Sequence, residues 1–193
     1  MRWTVFDYGG VLSLPQPESD ADAMAEAVGA DPETFKRGYW DHRLDFDRAT
    51  LTPETYWSAV LGRPATAAEV ARLVELDVAS WSHPDEGTVA ILDALLTGGS
   101  GVALLSNAPA CIADGLDRLP WIAAIGHRFY SARMGLVKPD PEIYAALAEG
   151  LGAAPADIVF IDDRKDNVEG AERAGLTAHH FTDAPSLRAA LSL

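Results

Sequence analysis

Residues 5–12 of the sequence read VFDYGGVL. A short apolar run ends at Asp7, and two glycines follow the next residue, which is typical of a buried β-strand that stops at a turn. Four later runs are also short and apolar, and they are rich in Val, Ile and Phe or bounded by Gly and Pro. The five predicted strands cover residues 3–7, 102–106, 127–130, 158–161 and 178–181.

Helical patterns separate most of these strands. Residues 85–96 precede the second strand, and residues 141–151 follow the third, with Asp140 placed to cap that helix. Residues 167–174 follow the fourth strand and end before Gly175, a common helix stop signal. Because strands alternate with helices, the sequence predicts an α/β layer architecture built on a parallel sheet.

The interval of residues 13–83 has a different pattern, with helix starts and no convincing strand. Thr66 and Glu69 have the spacing of a capping box, and Thr52 precedes a proline that suits a first helical turn. We therefore predict a helical insertion after the first strand. Most of its aromatic side chains are expected to form its core and a minority to face a pocket: Phe35, Tyr39, Trp40, Phe46, Tyr56 and Trp57.

The composition limits the possible partners and compartments. The 193 residues contain 15 Lys and Arg against 29 Asp and Glu, a formal charge of −14 that argues against nucleic acid or anionic membrane as a partner. Cys111 is the one cysteine, so no internal disulfide can form and a reducing compartment fits. No window approaches the roughly 18 apolar residues of a membrane helix. We expect a cytoplasmic protein.

Polar side chains gather at the predicted carboxyl ends of the strands, where open α/β sheets bind their ligands. Asp7 ends the first strand, Ser106 with Asn107 ends the second, and Asp162 with Asp163 ends the fourth. Lys138 follows the third strand, just before a helix. Each residue alone also fits a plainer role, because aspartates occur in turns and helix caps and most lysines are solvated.

This set of groups suits phosphoryl transfer, in which positioning and charge neutralisation dominate the catalysis. An aspartate can attack phosphorus and form an aspartyl-phosphate that water then hydrolyses. Two anions approach each other only with a cation between them, and Mg²⁺ prefers carboxylate oxygens such as those of Asp7, Asp162 and Asp163. Lys138 would offset further charge, and Ser106 with Asn107 would donate hydrogen bonds to phosphoryl oxygens.

Four segments in order resemble the motifs of the haloacid dehalogenase superfamily: VFDYGGVL, VALLSNAP, GLVKPDPEIY and IVFIDDRKDNVEGAERAG. The resemblance implies a Rossmann-like, three-layer core formed by residues 1–12 and 84–193. The helical insertion of residues 13–83 matches in position the small cap of that superfamily. It also implies a hydrolase that acts on a small phosphorylated substrate such as a sugar phosphate, with Mg²⁺ as cofactor.

The resemblance assigns roles to individual residues. Asp7 would be the nucleophile, Ser106 would bind the phosphoryl group and Lys138 would neutralise charge. Asp163, helped by Asp162, would anchor Mg²⁺ together with Asp7 and the backbone carbonyl of Gly9. The remaining residues expected to contact substrate are Gly9, Gly10 and Asn107.

Gly9 departs from the usual pattern of that superfamily, which has a second aspartate at this position as general acid and base. Loss of such a group costs typically about 10²–10⁴-fold in rate, and least for leaving groups of low pKa such as aryl phosphates and sugar 1-phosphates. Some phosphatases of the superfamily also have Asp-x-Gly here.

Two alternatives stay open besides the phosphatase. The first is a weak or inactive relative that binds a phosphorylated ligand or a protein, and the second is a 2-haloacid dehalogenase, which needs no acidic pair at 162–163. Specificity is expected to come from the insertion and its surroundings, with these candidates: Tyr8, Leu14, Tyr39, Trp40, His42 and Arg43.

Overall fold

A computed structural model describes residues 2–193. Five strands form one parallel sheet in the order β3-β2-β1-β4-β5, which confirms the predicted α/β class. Each predicted strand end lies within one residue of the observed end. The strands are β1 (Trp3–Phe6), β2 (Gly101–Ser106), β3 (His127–Tyr130), β4 (Ile158–Asp162) and β5 (Thr177–His180).

Strand β1 lies in the middle of the sheet, between β2 and β4. Phe6, its last residue, pairs with Leu104 on one side and Ile161 on the other. The backbone N–H of Asp7 donates to the carbonyl of Ile161 at 2.8 Å, so the position after β1 is still anchored to the sheet. Because the strand order reverses beside β1, a crevice opens at its carboxyl end.

Five helices between β1 and β2 form the insertion. The capping box of Thr66 and Glu69 is present, and Thr52 caps its helix reciprocally with Thr55. None of the helices described within residues 2–193 is long and apolar enough to span a membrane. The helices of the insertion are α1 (Glu18–Ala27), α2 (Pro32–Asp41), α3 (Arg43–Asp47), α4 (Pro53–Leu61) and α5 (Ala67–Ser80).

The remaining helices follow the sheet strands and flank the sheet. Helices α7 (Ala110–Leu116) and α8 (Pro120–Ala123) follow β2, and α9 (Ser131–Met134) and α10 (Pro141–Leu151) follow β3. Helix α11 (Lys165–Arg173) follows β4, and α12 (Ala184–Ala190) follows β5. A 3₁₀ turn, Pro155–Asp157, leads into β4. Helix α6 (Glu86–Thr97) instead precedes β2.

Asp140 precedes α10 as expected, but its side chain does not make the predicted cap hydrogen bond. Its carboxylate instead pairs with the guanidinium of Arg48 at 2.8 Å. Pro141 stands at the first helical position, where its fixed φ favours the start of the helix without a side-chain cap. The carboxylate is therefore free to link the insertion to the sheet domain.

Three apolar clusters hold the chain together. Alternation along β1 places Phe6 in the cluster on one face of the sheet and Val5 in the cluster on the other. The third cluster lies within the insertion and contains five of the six aromatic residues predicted for its core. Trp40 is the exception, because 56% of its side chain is exposed.

Candidate active site

Asp7 is held rigidly at the end of β1, with 7% of the residue exposed. Its Oδ1 accepts from the backbone N–H of Tyr8 at 2.7 Å and pairs with the ammonium of Lys138 at 2.7 Å. Burial raises the pKa of Asp7 to about 8, against the attraction of Lys138, and the negative charge of Asp162 adds to the rise. A further cation beside Asp7 would therefore stabilise the ionised form of its carboxylate.

Lys138 is buried between two carboxylates. Its Nζ donates to Asp162 Oδ2 at 2.7 Å and to the carbonyl of Leu105 at 3.2 Å, besides its pair with Asp7. These three contacts use the three donors of the ammonium group. Burial opposes the charged form, but the two carboxylates outweigh it and raise the pKa of Lys138. A charged lysine is thus fixed beside Asp7.

Asp162 and Asp163 are neighbours in sequence with different surroundings. Asp162 is fully buried, and its oxygens accept from Lys138, from the Asn167 side chain at 3.0 Å and from the Arg164 N–H at 2.9 Å. Asp163 is exposed to the crevice. Its partial burial within the crevice raises the pKa of the Asp163 carboxyl, and the charge of Asp162 adds to the rise. Asp162 thus positions Lys138, whereas Asp163 is available to a ligand.

The three aspartates meet at one point. One carboxylate oxygen each from Asp7, Asp162 and Asp163 lies within 4.8 Å of the other two. Hard, negatively charged oxygen donors at this spacing fit Mg²⁺, which commonly takes one or two carboxylates and completes its shell with water or phosphate oxygens. These three carboxylates therefore fit the predicted Mg²⁺.

Gly10 allows the close approach of Asp163 to the turn after β1. Its φ is +77°, and a Cβ placed on it would lie 2.6 Å from Asp163 Oδ2. Its N–H donates to the carbonyl of Ser13 at 2.8 Å. Gly10 therefore shapes the turn, with its N–H bonded within the chain, and its contact with substrate stays a prediction.

Ser106 and Asn107 follow β2 and differ in their contacts. Ser106 is 4% exposed, and its hydroxyl has no hydrogen-bond partner within the described chain of residues 2–193. The Asn107 side chain forms two hydrogen bonds with the backbone of Lys138, at 2.9 and 3.0 Å. Ser106 is thus able to donate to a ligand, while the Asn107 side chain mainly positions Lys138.

Gly9 packs directly against the indole of Trp81. A Cβ on Gly9 would lie 2.9 Å from Cζ3 of that indole, closer than ordinary packing permits. Trp81 is kept there by its own hydrogen bonds, because it accepts from the Tyr8 hydroxyl at its carbonyl and donates from Nε1 to Tyr39. The space in which a side chain at position 9 would lie is filled by an aromatic ring.

A cavity of about 530 Å³ opens over these groups. Of the predicted site residues, Asp7, Gly9, Gly10, Ser106, Asn107, Lys138 and Asp163 line it, whereas Asp162 lies behind Lys138. Tyr8, Trp40 and Arg43 of the specificity candidates also line the cavity; Leu14, Tyr39 and His42 are not among its lining residues.

Arg43 and Asp47 form a buried ion pair on the insertion side of this cavity. Arg43 Nε lies 2.8 Å from Asp47 Oδ1, and Nη1 donates to the Tyr39 hydroxyl and approaches Asp77 Oδ2 at 3.5 Å. Burial raises the pKa of Asp47, although Arg43 opposes the rise. No pattern in the sequence indicates Asp47 or Trp81 as cavity residues, since neither lies in a motif or at a predicted strand end.

Comparison with known proteins agrees with this geometry. A family model described as haloacid dehalogenase-like hydrolase matches residues 1–175. The chain belongs to the haloacid dehalogenase-like hydrolases. The resemblance inferred from the four motifs is therefore confirmed, and with it the expectation that the protein is a hydrolase.

Individual relatives and structures extend over nearly the whole chain. A sesquiterpene phosphatase from Aspergillus oryzae is 27% identical, covering 93% of this chain and 89% of its own length. A phosphatase from Mycobacterium tuberculosis is 30% identical, covering 91% and 84% respectively. A haloacid dehalogenase-family enzyme from Bacteroides thetaiotaomicron, crystallised with magnesium and inorganic phosphate, has a TM-score of 0.77 at 20% identity, over 97% of this chain and 98% of its own. This structural likeness shows a common fold.

Proposed function

We propose that the protein is a magnesium-dependent phosphatase that hydrolyses a small phosphate monoester through an aspartyl-phosphate on Asp7. The observation that supports this most is the arrangement around Lys138, which holds the Asp7 carboxylate at 2.7 Å in a site also lined by Ser106 and Asp163. Asp7, Asp163 and the carbonyl of Gly9 would hold the metal. When bound, Mg²⁺ supplies positive charge that neutralises phosphate oxygens.

In the first step, an Asp7 carboxylate oxygen attacks phosphorus as the bond from phosphorus to the ester oxygen breaks. Because Oδ1 already accepts two hydrogen bonds, Oδ2 is the oxygen we assign to the attack. The Ser106 hydroxyl donates to a phosphoryl oxygen, and Lys138 keeps Asp7 oriented. The leaving oxygen takes its proton from water, since Gly9 has no side chain to supply one.

In the second step, water attacks phosphorus of the aspartyl-phosphate, inorganic phosphate leaves and the Asp7 carboxylate is restored. Water loses its proton to solvent or to the phosphate group. Both steps thus lack a dedicated acid or base at position 9, and turnover should be most rapid for leaving groups of low pKa. The phosphatase names of the relatives from Aspergillus oryzae and Mycobacterium tuberculosis support this reaction class for the chain.

The helical insertion, residues 13–83, is proposed to act as the cap that forms the roof of the cavity. It contributes Trp40, Arg43 and Asp47 to the lining, and its helices share an apolar cluster of their own. The Arg48–Asp140 pair links it to the loop that contains Lys138. Closure of such an element over substrate would exclude water from the phosphoryl group.

Phosphate release from p-nitrophenyl phosphate tests the proposal. We expect release in Mg²⁺, none in excess EDTA, and loss of activity in Asp7→Asn. Asp157→Asn is the matched control, because that exposed aspartate lies in the turn before β4, outside the cavity. Equal rates with Mg²⁺ and with EDTA would refute the metal-assisted reaction. Binding of phosphate esters without any turnover would instead favour the binding-protein alternative raised by Gly9.

A further inference from the structure

The two sides of the cavity differ in chemistry. The charged groups that serve the phosphate lie at the sheet edge, around Asp7 and Lys138. The rest of the lining includes a wall of side chains with largely carbon surface: Tyr8, Trp40, Leu44, Trp81, Ile112 and Leu116. A phosphate monoester bound at Asp7 would therefore place its organic part against this wall.

The polar atoms of the two inner aromatic residues are already engaged. The Tyr8 hydroxyl donates to the Trp81 carbonyl at 2.6 Å, and Trp81 Nε1 donates to the Tyr39 hydroxyl at 3.1 Å. Both residues have thus used their side-chain N–H or O–H donor within the protein, and their rings present mainly carbon to the cavity. The ring of Trp81 also packs against Gly9, two residues from Asp7.

The mouth of the cavity is also apolar. Trp40 and Leu44 are 56% and 53% exposed, and within residues 2–193 the other large exposed apolar side chains are Leu14 and Leu193. Trp40 and Leu44, two of these four residues, thus lie together at the mouth of the cavity. Exposed apolar side chains that are grouped at a cavity commonly mark a surface that is covered by a ligand.

The charged residues that the insertion contributes to the cavity neutralise each other. Arg43 and Asp47 are paired at 2.8 Å, and each has about a tenth or less of its side chain exposed, at 10% and 9%. A polyhydroxylated group would thus find few open partners, and hydroxyls left against carbon would lose hydrogen bonds to water.

From these contacts we infer that the protein acts on phosphate monoesters whose organic part is hydrophobic, with Trp81, Trp40 and Leu44 as the residues that select it. This inference rests on the proposed phosphatase function and refines it. It differs from the sugar phosphate suggested by sequence, because the polar groups around Trp81 are engaged within the protein: the Tyr8 hydroxyl and the Trp81 indole donate to protein oxygens, and Arg43 pairs with Asp47.

Binding of two phosphonates, which cannot be hydrolysed, tests this inference independently of turnover. Calorimetry in Mg²⁺ would compare n-hexylphosphonate with 6-hydroxyhexylphosphonate, which differ by one terminal hydroxyl. We expect the hexyl compound to bind about tenfold more tightly, since the hydroxyl would lose its water against a carbon wall. Equal affinities, or no binding of either compound, would overturn the inference.

Substitution of a residue at the mouth of the cavity tests where the preference for the hexyl compound arises. Leu44→Gln should reduce the ratio of the two affinities by about threefold, because it replaces apolar surface at the mouth with an amide. Leu193→Gln is the matched control, as Leu193 is similarly exposed but does not line the cavity, and it should leave the ratio unchanged. Equal ratios in the wild type and Leu44→Gln would place the selectivity elsewhere and contradict the assignment.

The two proposals fail in distinguishable ways. Tight, selective binding of n-hexylphosphonate without release of phosphate from p-nitrophenyl phosphate would refute the phosphatase and leave the apolar site intact. Magnesium-dependent phosphate release with no preference between the two phosphonates would refute the apolar substrate class alone.

Discussion

Trp81 occupies the space that a side chain on Gly9 would need, since a Cβ there would lie 2.9 Å from Cζ3 of the indole. The two residues are 72 positions apart, and their contact links the first turn of the sheet to the end of the insertion. The size of the side chain at position 81 therefore limits which residue can stand at position 9. A proton-donating side chain at position 9 has to displace the indole unless a smaller residue stands at position 81.

We expect Gly9→Asp alone to destabilise the protein by about 1–3 kcal/mol, because the new side chain must displace the indole. The double variant Gly9→Asp with Trp81→Ala should fit, and it should raise kcat for an alkyl phosphate relative to an aryl phosphate by about tenfold or more. The control is Gly9→Asn with Trp81→Ala, which has the same shape but no titratable group. An unchanged alkyl-to-aryl ratio in the aspartate variant would argue against a missing general acid.

Lys138→Met should be strongly destabilising, because it leaves Asp7 and Asp162 buried and without their shared cation. Removal of one partner of a buried ion pair costs about 3–5 kcal/mol, measurable by urea denaturation. Adding Asp162→Asn should recover part of this stability without recovering activity. If Lys138→Met unfolds at the same urea concentration as wild type, the proposed electrostatic role of Lys138 is wrong.

Gly10→Ala should lower stability and weaken Mg²⁺ activation together. The left-handed backbone costs about 1–2 kcal/mol for a residue with a Cβ, and the methyl group would also collide with the Asp163 carboxylate. Gly62→Ala is a matched control, since Gly62 has φ of +63° and nothing within 4 Å of an added Cβ. We expect both variants to show a lower Tm, with only Gly10→Ala needing more Mg²⁺ for half-maximal activity.

The fold and the sheet-edge residues could be read from the sequence because the signals are local. Apolar runs mark strands, a parallel sheet brings their carboxyl ends together, and Asp7, Ser106, Lys138 and Asp163 accordingly line one cavity. The helix starts at Thr52 and Thr66 depend on residues three positions apart, which a short window contains.

Contacts between distant segments could not be read in this way. Trp81 has no periodic or motif signal that would place it on Gly9, and Asp140 satisfied every local rule for a helix cap yet pairs with Arg48 from the insertion. The hydrogen bonds between the Asn107 side chain and the Lys138 backbone likewise join segments 31 residues apart. These contacts depend on how the insertion docks on the sheet, and the sequence of either segment alone does not specify that docking.

Asp162 and Asp163 should differ when each is replaced, although they are neighbours of the same type. Asp163→Asn removes an exposed carboxylate and should raise the Mg²⁺ concentration needed for half-maximal activity with little change in stability. Asp162→Asn removes a buried acceptor of hydrogen bonds from Lys138, Arg164 and Asn167, so it should lower both Tm and kcat.

Titration of activity with Mg²⁺ and thermal unfolding of the two variants separate these effects. Asp157→Asn serves as a control, because its carboxylate is exposed and lies outside the cavity. If Asp162→Asn shifts the Mg²⁺ requirement as much as Asp163→Asn and leaves Tm unchanged, then Asp162 is mainly a metal ligand. The burial of Asp162 behind Lys138 and its hydrogen bonds to three residues argue for the positioning role.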